Sequence, residues 1–99
     1  MKHLLVVYHS QTGHTETLIG QTLAGARSAE ILHVELRLRR ALQATVTDLL
    51  WADGLILGTP ENFGYMSGAM KDFLDRVYYP CEGLREGLPY ALVISAGND

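Results

Sequence analysis

The order of apolar runs and helical patterns along this 99-residue chain predicts an α/β fold, a doubly wound parallel sheet with helices on its faces. Three observations predict it. Short aliphatic runs of strand length, Leu4 to Val7, Leu55 to Leu57 and Tyr90 to Ser95, alternate with segments of helical period. The first of these runs passes through a hydroxyl-rich turn straight into a helix. The clearest helical stripe, Met70, Phe73, Leu74 and Val77, falls at i, i+3, i+4 and i+7 and presents one apolar face.

Lys2 to Tyr8 is the predicted first strand, and its centre, Leu4-Leu5-Val6-Val7, has the continuous apolar character of a strand buried on both faces. Thr15 to Ala26 is the predicted first helix, from Leu18, Ile19, Thr22, Leu23 and Ala26 at helical spacing. Glu30 to Leu38 is expected as the second strand. There Val34, Leu36 and Leu38 alternate with Glu35, Arg37 and Arg39, the period of two of a partly solvated edge strand. Arg40 to Ala44 reads as either loop or helix. Thr47 is the expected cap of a short helix through Asp48, Leu49, Leu50 and Trp51, which Asp53-Gly54 stops. Leu55-Ile56-Leu57 is the third strand, expected to end at Gly58-Thr59-Pro60 because proline cannot donate to a ladder. In the next helix Lys71 with Asp75 and Asp72 with Arg76 stand at i, i+4, marking a solvated face. Pro80 is expected to end it. A loop through Cys81, Gly83, Gly87 and Pro89 then leads to the fourth strand, Tyr90 to Ser95.

Residues 1–99, with 47% hydrophobic content, are expected to form a single domain with material enough for a core. A net charge of −3 argues against nucleic acid as a partner, and the one basic cluster, Arg37, Arg39 and Arg40, reads as a solvated strand edge. No apolar stretch approaches membrane-spanning length, and Met1-Lys2-His3 leads directly into a strand, so a cytoplasmic protein with no membrane partner is expected. One cysteine, Cys81, gives no internal disulfide and no metal-ligand pair, and reads as an ordinary loop thiol.

The turn after the first strand carries the first chemistry. N–H groups at a helix N-terminus lack intrahelical partners, and the helix dipole favours negative charge there. Ser10, Thr12 and Thr15 add hydroxyls and Gly13 permits close backbone approach, so a phosphate fits. The same residues also read as a plain cap, with Gly13 or Thr12 capping and Glu16 reaching back. Neither Gly-x-x-x-x-Gly-Lys-Ser/Thr nor Gly-x-Gly-x-x-Gly occurs, which excludes a nucleoside-triphosphate loop and the dinucleotide fingerprint. With no Lys or Arg in the turn, a single phosphate monoester held by backbone N–H groups, hydroxyls and His14 suits it better than a triphosphate with its metal. His9 and His14 do not read as a metal pair, because no third ligand is near in sequence.

The loop after the third strand interleaves Phe63, Tyr65 and Met66 with glycines. It can grip a flat heterocycle, with aromatic and thioether groups against the ring and backbone N–H groups around Asn62, Phe63 and Gly64 bonding its edge. Alternatively Phe63 and Tyr65 enter the core and Ser67 caps the helix. In an open α/β sheet, ligands bind beyond the carboxyl ends of the strands. That brings the loops at Ser10 to Thr15, Thr59 to Met66 and Ser95 to Asp99 to one pocket.

The two segments Tyr8-His9-Ser10-Gln11-Thr12-Gly13-His14-Thr15-Glu16-Thr17 and Gly58 to Lys71 resemble those of the flavodoxin-like NAD(P)H-dependent FMN reductases and quinone reductases. The resemblance implies a flavodoxin-like sheet of order 2-1-3-4 and an FMN cofactor, with NAD(P)H as co-substrate. It assigns Ser10, Gln11, Thr12, Gly13, His14 and Thr15 to the FMN phosphate. Pro60, Asn62, Phe63 and Gly64, with Glu61 and Tyr65 beside them, fall to the isoalloxazine, and Ser95, Ala96 and Gly97 to the ribityl chain and ring. The implied function is an FMN-dependent oxidoreductase carrying electrons from NAD(P)H to a quinone or similar small acceptor, with no side chain acting as catalytic acid or base. Two alternatives stand beside it: a flavodoxin-type single-electron carrier, which the mild charge and the lone acid Glu61 between Thr59 and Met66 disfavour, and a non-catalytic interaction module.

The family's sheet has five strands, and the chain departs from it by stopping after the fourth. The fifth strand and the C-terminal helix are therefore expected to be lacking, leaving the domain C-terminally incomplete with an exposed edge. Self-association into a homo-oligomer, or membership in a longer protein, is the expected consequence.

Overall fold

The computed structural model describes residues 2–10, 17, 19–21, 24, 34–62, 65–81, 83 and 87–95, with Glu61, Asn62, Tyr65 and Ser95 described through their backbone. Gln11 to Glu16, Phe63, Gly64, Ala96 and Gly97 lie outside these residues. The parallel strands are β1 (Lys2–Tyr8), β2 (Val34–Arg40), β3 (Gly54–Asn62) and β5 (Tyr90–Ser95), side by side in the order β2-β1-β3-β5. A two-residue β4 (Tyr65–Met66) folds back antiparallel on the end of β3. The predicted sheet order 2-1-3-4 is thus the order found, with the predicted fourth strand becoming β5.

The burial of β1 follows from its sequence. Leu5 and Val7 point to one face, where they join Leu55, Leu57, Leu49, Met70, Phe73 and Val77. Val6 and Tyr8 point to the other and pack with Ile19, with Leu36, Ile56 and Val93 against them. Thr17, Ile19, Gly20, Gln21 and Ala24 are helical, as expected of the first helix. The four-residue stripe of the later helix is buried throughout: Phe73 has no exposed surface, and Met70 and Val77 have 1% each.

That later helix begins as α2 (Gly68–Phe73), widens into a π-helical turn at Leu74–Tyr78 and closes with a 3-10 turn at Tyr79–Cys81, past Pro80. Ser67 caps it, its hydroxyl accepting from the Met70 N–H at 3.2 Å. Cys81 is 2% exposed and belongs to the core, so it is a packing residue rather than a loop thiol.

Three boundaries differ from expectation. β2 runs from Val34 to Arg40, carrying the ladder two residues past Leu38 because β1 offers partners up to Tyr8. The short helix α1 (Val46–Trp51) is capped by Thr45 rather than Thr47: Thr45 and Asp48 bond each other's backbone N–H groups in a capping box. β3 continues through Pro60 to Asn62. Alternate residues of β3 face opposite neighbours: the Leu55 N–H donates to Pro89 on the β5 side, and the Gly58 carbonyl accepts from the His9 N–H on the β1 side. Pro60 shares the parity of Gly58, and β1 has ended at Tyr8, so its missing N–H falls where no ladder bond is required.

Candidate functional site

The register fixes what meets at the carboxyl ends of the strands. Tyr8 pairs with Gly58, and Pro60 with Ser95. Pro60 and Ser95, one predicted residue from each of two loops, are thus partners on adjacent strands, and Ser10 follows two residues beyond the end of β1. The chain leaves β1 for β2 on one side and for β3 on the other, which makes the crevice between the ends of β1 and β3 the switch point of the sheet.

β3 overshoots its neighbours. Glu61 and Asn62 continue beyond the last partners on β1 and β5 and pair instead with Met66 and Tyr65 of β4, forming a short hairpin at the carboxyl end of β3. Phe63 and Gly64 connect its two strands. The hairpin is tied to its base by a buried polar cluster: the Thr59 hydroxyl accepts from the Ser67 N–H at 3.1 Å, while the Ser67 hydroxyl lies 3.3 Å away. Thr59 is 4% exposed and Ser67 fully buried, so each bond is made out of water, where breaking it is costly. Sequence reasoning assigned no role to the Thr59 hydroxyl.

Of the predicted phosphate residues, Ser10 is described and lines a cavity of about 360 Å³ between the ends of β1 and β2. Its walls are Tyr8, His9 and Ser10 on one side and the turn Arg40 to Gln43 on the other. The turn is tight: the Arg40 carbonyl accepts from the N–H groups of Gln43 and Ala44, and the Tyr8 carbonyl from Ala41 at 2.7 Å. Arg76 buttresses it from below, its guanidinium donating to the carbonyls of Ala44 at 2.6 Å and Ala41 at 3.0 Å. Arg76 thus does more than pair with Asp72 on a solvated face.

The three arginines of β2 divide. Arg37 donates to Asp48 at 3.1 Å and lies 4.0 Å over the Trp51 ring, on which His3 also stacks at 4.3 Å. Arg39 approaches the same carboxylate at 3.4 Å. Burial pushes the Asp48 carboxyl up, but hydrogen bonds from the Thr45 backbone and hydroxyl, the Arg39 charge and the Arg37 bond outweigh it and hold the group below its ordinary value. The solvated edge foreseen for all three arginines fits Arg40 alone. The missed wall residues are His9 and Arg40, and the signal for Arg40 was its parity, opposite to that of Arg37 and Arg39.

Among the described residues no group of three or more His, Cys, Asp or Glu is arranged to hold a metal ion, and no helix is long and apolar enough to cross a membrane.

Comparison with known proteins gives a consistent result. The sequence model of the NADPH-dependent FMN reductases matches residues 35–99. A flavodoxin of Aquifex aeolicus is 44% identical over 77 residues, covering 78% of this chain and 40% of that protein. An NAD(P)H dehydrogenase (quinone) of Acidithiobacillus ferrooxidans is 36% identical over 94 residues, covering 77% and 47%. The crystal structure of a flavodoxin, WrbA-like protein from Agrobacterium tumefaciens superposes with a TM-score of 0.73 at 23% identity, over all of this chain and 62% of the other. The chain spans less than half the length of the curated relatives it matches.

Proposed function

The chain belongs to the NADPH-dependent FMN reductase family, and from that membership we propose that it is an FMN-dependent oxidoreductase moving electrons from NAD(P)H to a quinone or similar small acceptor. The observation that carries the proposal is the meeting of the ends of β1, β3 and β5 at the switch point, where Pro60 pairs with Ser95 and the β3–β4 hairpin extends beyond them. Residues 1–99 act in it as one FMN-binding domain, in a cytoplasmic protein.

In this scheme Ser10, Gln11, Thr12, Gly13, His14 and Thr15 hold the phosphate by hydroxyls and backbone N–H groups. Pro60, Glu61, Asn62, Phe63, Gly64 and Tyr65 line one side of the ring, and Ser95, Ala96 and Gly97 the other end. Bound FMN supplies the redox chemistry, taking a hydride from the nicotinamide and passing two electrons on. The buried Thr59–Ser67 cluster anchors the base of the hairpin, and so would position the residues proposed to line the ring.

The test is an FMN fluorescence titration followed by NAD(P)H oxidation with a quinone acceptor. Tight quenching with quinone-dependent turnover supports the proposal, and a protein that leaves FMN fluorescence unchanged refutes it. A second reading, a single-electron carrier, has the 44% identity to a flavodoxin in its favour. Reductive titration separates the two: uptake in two resolved one-electron steps with no NAD(P)H oxidation favours the carrier.

Self-association belongs to the same proposal. Among the described residues β5 pairs with β3 alone, and the alternate residues on one of its faces, Tyr90, Leu92 and Ile94, are more than half exposed at 63%, 55% and 54%. A second copy is the occupant that fits, since a two-fold axis beside β5 pairs each edge with its own complement. Leu92→Lys is expected to convert a dimer to monomer in analytical ultracentrifugation, and a wild-type protein monomeric at high concentration contradicts it.

A further inference from the structure

We infer that the cavity between the ends of β1 and β2 takes the adenosine half of NADPH, with Arg40 recognising its 2′-phosphate. This rests on the reading of the chain as an NAD(P)H-dependent flavin reductase and adds to it a second phosphate site at Arg40, in a cavity that borders the turn assigned to FMN through Ser10.

Four observations carry it. Arg40 is the one arginine among those with described side chains that has no ion pair or hydrogen bond for its guanidinium. Arg37 and Arg39 hold Asp48, and Arg76 holds Asp72 and two carbonyls. A planar guanidinium with all its donors free is matched to the paired oxygens of a phosphate monoester. Second, His9 lines the same cavity with a buried Nδ1 that has no hydrogen-bond partner, and no bond among the described residues fixes its ring. A buried polar atom left in that state costs about 1–3 kcal/mol, so turning the ring to a ligand is favourable. Third, the turn carrying Arg40 is held by its own N–H bonds and by Arg76, so little order is lost when a ligand docks. Fourth, about 360 Å³ lies at the lower end of ligand-site volumes, the scale of a mononucleotide rather than of a whole dinucleotide.

The cavity also offers the remaining contacts that adenosine needs. Leu42, 65% exposed at the rim, gives an apolar surface for the base, and the Gln43 amide can both donate to and accept from its edge. β2 is beside β1, so one molecule can reach from this cavity across the end of β1 to the crevice where the flavin ring is proposed.

Calorimetric titration tests the inference without relying on turnover, with 2′,5′-ADP, 5′-AMP and inorganic phosphate as probes. The wild-type protein is expected to bind 2′,5′-ADP about tenfold or more tighter than 5′-AMP, the range of one charge-assisted bond, with inorganic phosphate far weaker. Arg40→Gln, a change at an exposed side chain whose far-ultraviolet circular dichroism should be unaltered, is expected to erase the difference. Arg40→Lys is expected to restore part of it as a point charge without the paired geometry. Saturating FMN is expected to leave the 2′,5′-ADP affinity unchanged. Equal affinity for the two nucleotides, a preference that survives Arg40→Gln, phosphate binding as tight as 2′,5′-ADP, or competition with FMN each overturns the assignment. Absence of FMN binding alongside a preserved, Arg40-dependent preference supports the cavity assignment and removes the flavin reading instead.

Discussion

Replacing Asp48 tests the frame that holds the β2 end of the molecule. Its carboxylate accepts from the Thr45 N–H at 3.0 Å, the Thr45 hydroxyl at 3.2 Å and the Arg37 guanidinium at 3.1 Å, with its side chain 7% exposed. Loss of a helix N-cap costs about 1 kcal/mol. A charge-assisted bond between groups largely out of water contributes about 1.5–3 kcal/mol. The Arg39 pair, longer and with a 41% exposed arginine, adds little. Asp48→Ala is therefore expected to cost about 2–4 kcal/mol, lowering Tm by roughly 10–25 °C for a domain of this size. Asp48→Asn, which keeps a side-chain oxygen for the cap, should lose about half as much. The pH dependence has a definite sign. The folded carboxyl titrates below its unfolded value, so its stabilisation is complete above about pH 4 and is lost as the pH falls through the lower folded value. Urea denaturation followed by circular dichroism at several pH values checks this, the wild-type curve being compared with that of Asp48→Asn so that other carboxylates cancel. A loss below 0.5 kcal/mol at pH 7, or a gap between the two proteins that stays constant down to pH 2, refutes the account.

Three other perturbations follow from the packing. A Cβ at Gly58 would stand 2.5 Å from Ile19 Cδ1 and 2.8 Å from its Cγ1, so Gly58→Ala should cost about 1–3 kcal/mol. Ile19→Val should recover part of that loss in the double variant, and independent, additive effects in thermal melts would argue against the contact. Thr59→Val leaves the buried Ser67 N–H without its 3.1 Å acceptor, with an expected cost of about 1–3 kcal/mol. It should also weaken FMN binding by fluorescence titration, and unchanged affinity would detach the hairpin from the flavin. Phe73→Ala empties the centre of the core and should cost about 3–5 kcal/mol by urea titration, leaving the domain largely unfolded.

What could be read from the sequence depended on whether a residue's surroundings are local. The strand centres, the stripe Met70, Phe73, Leu74 and Val77, and the i, i+4 pairs were legible because period and composition alone determine them. The end of β3 was not. Whether Pro60 breaks a ladder depends on which neighbour its nitrogen faces and on where β1 stops, and neither is a property of the local sequence. The true cap of α1 was legible in principle. Thr45 has Asp48 three residues later, the spacing of a reciprocal cap, whereas Thr47 has no acid at that distance.

The β2 arginines make the same distinction at the site. Read as one basic cluster they look like a single solvated edge, but strand alternation sends Arg37 and Arg39 to one face and Arg40 to the other. The first two meet an acid, Asp48, brought up by the capping box of the next helix. Arg40 shares the parity of Leu36, which packs beside Ile19, and comes off the strand end next to His9, with no ion pair to an acid among the described residues. A cation that the fold neutralises serves the fold. One without a counterion among the described residues, exposed on a braced turn at the carboxyl end of a strand, adds little to stability that a glutamine would not also provide, which is why Arg40→Gln separates ligand recognition from folding.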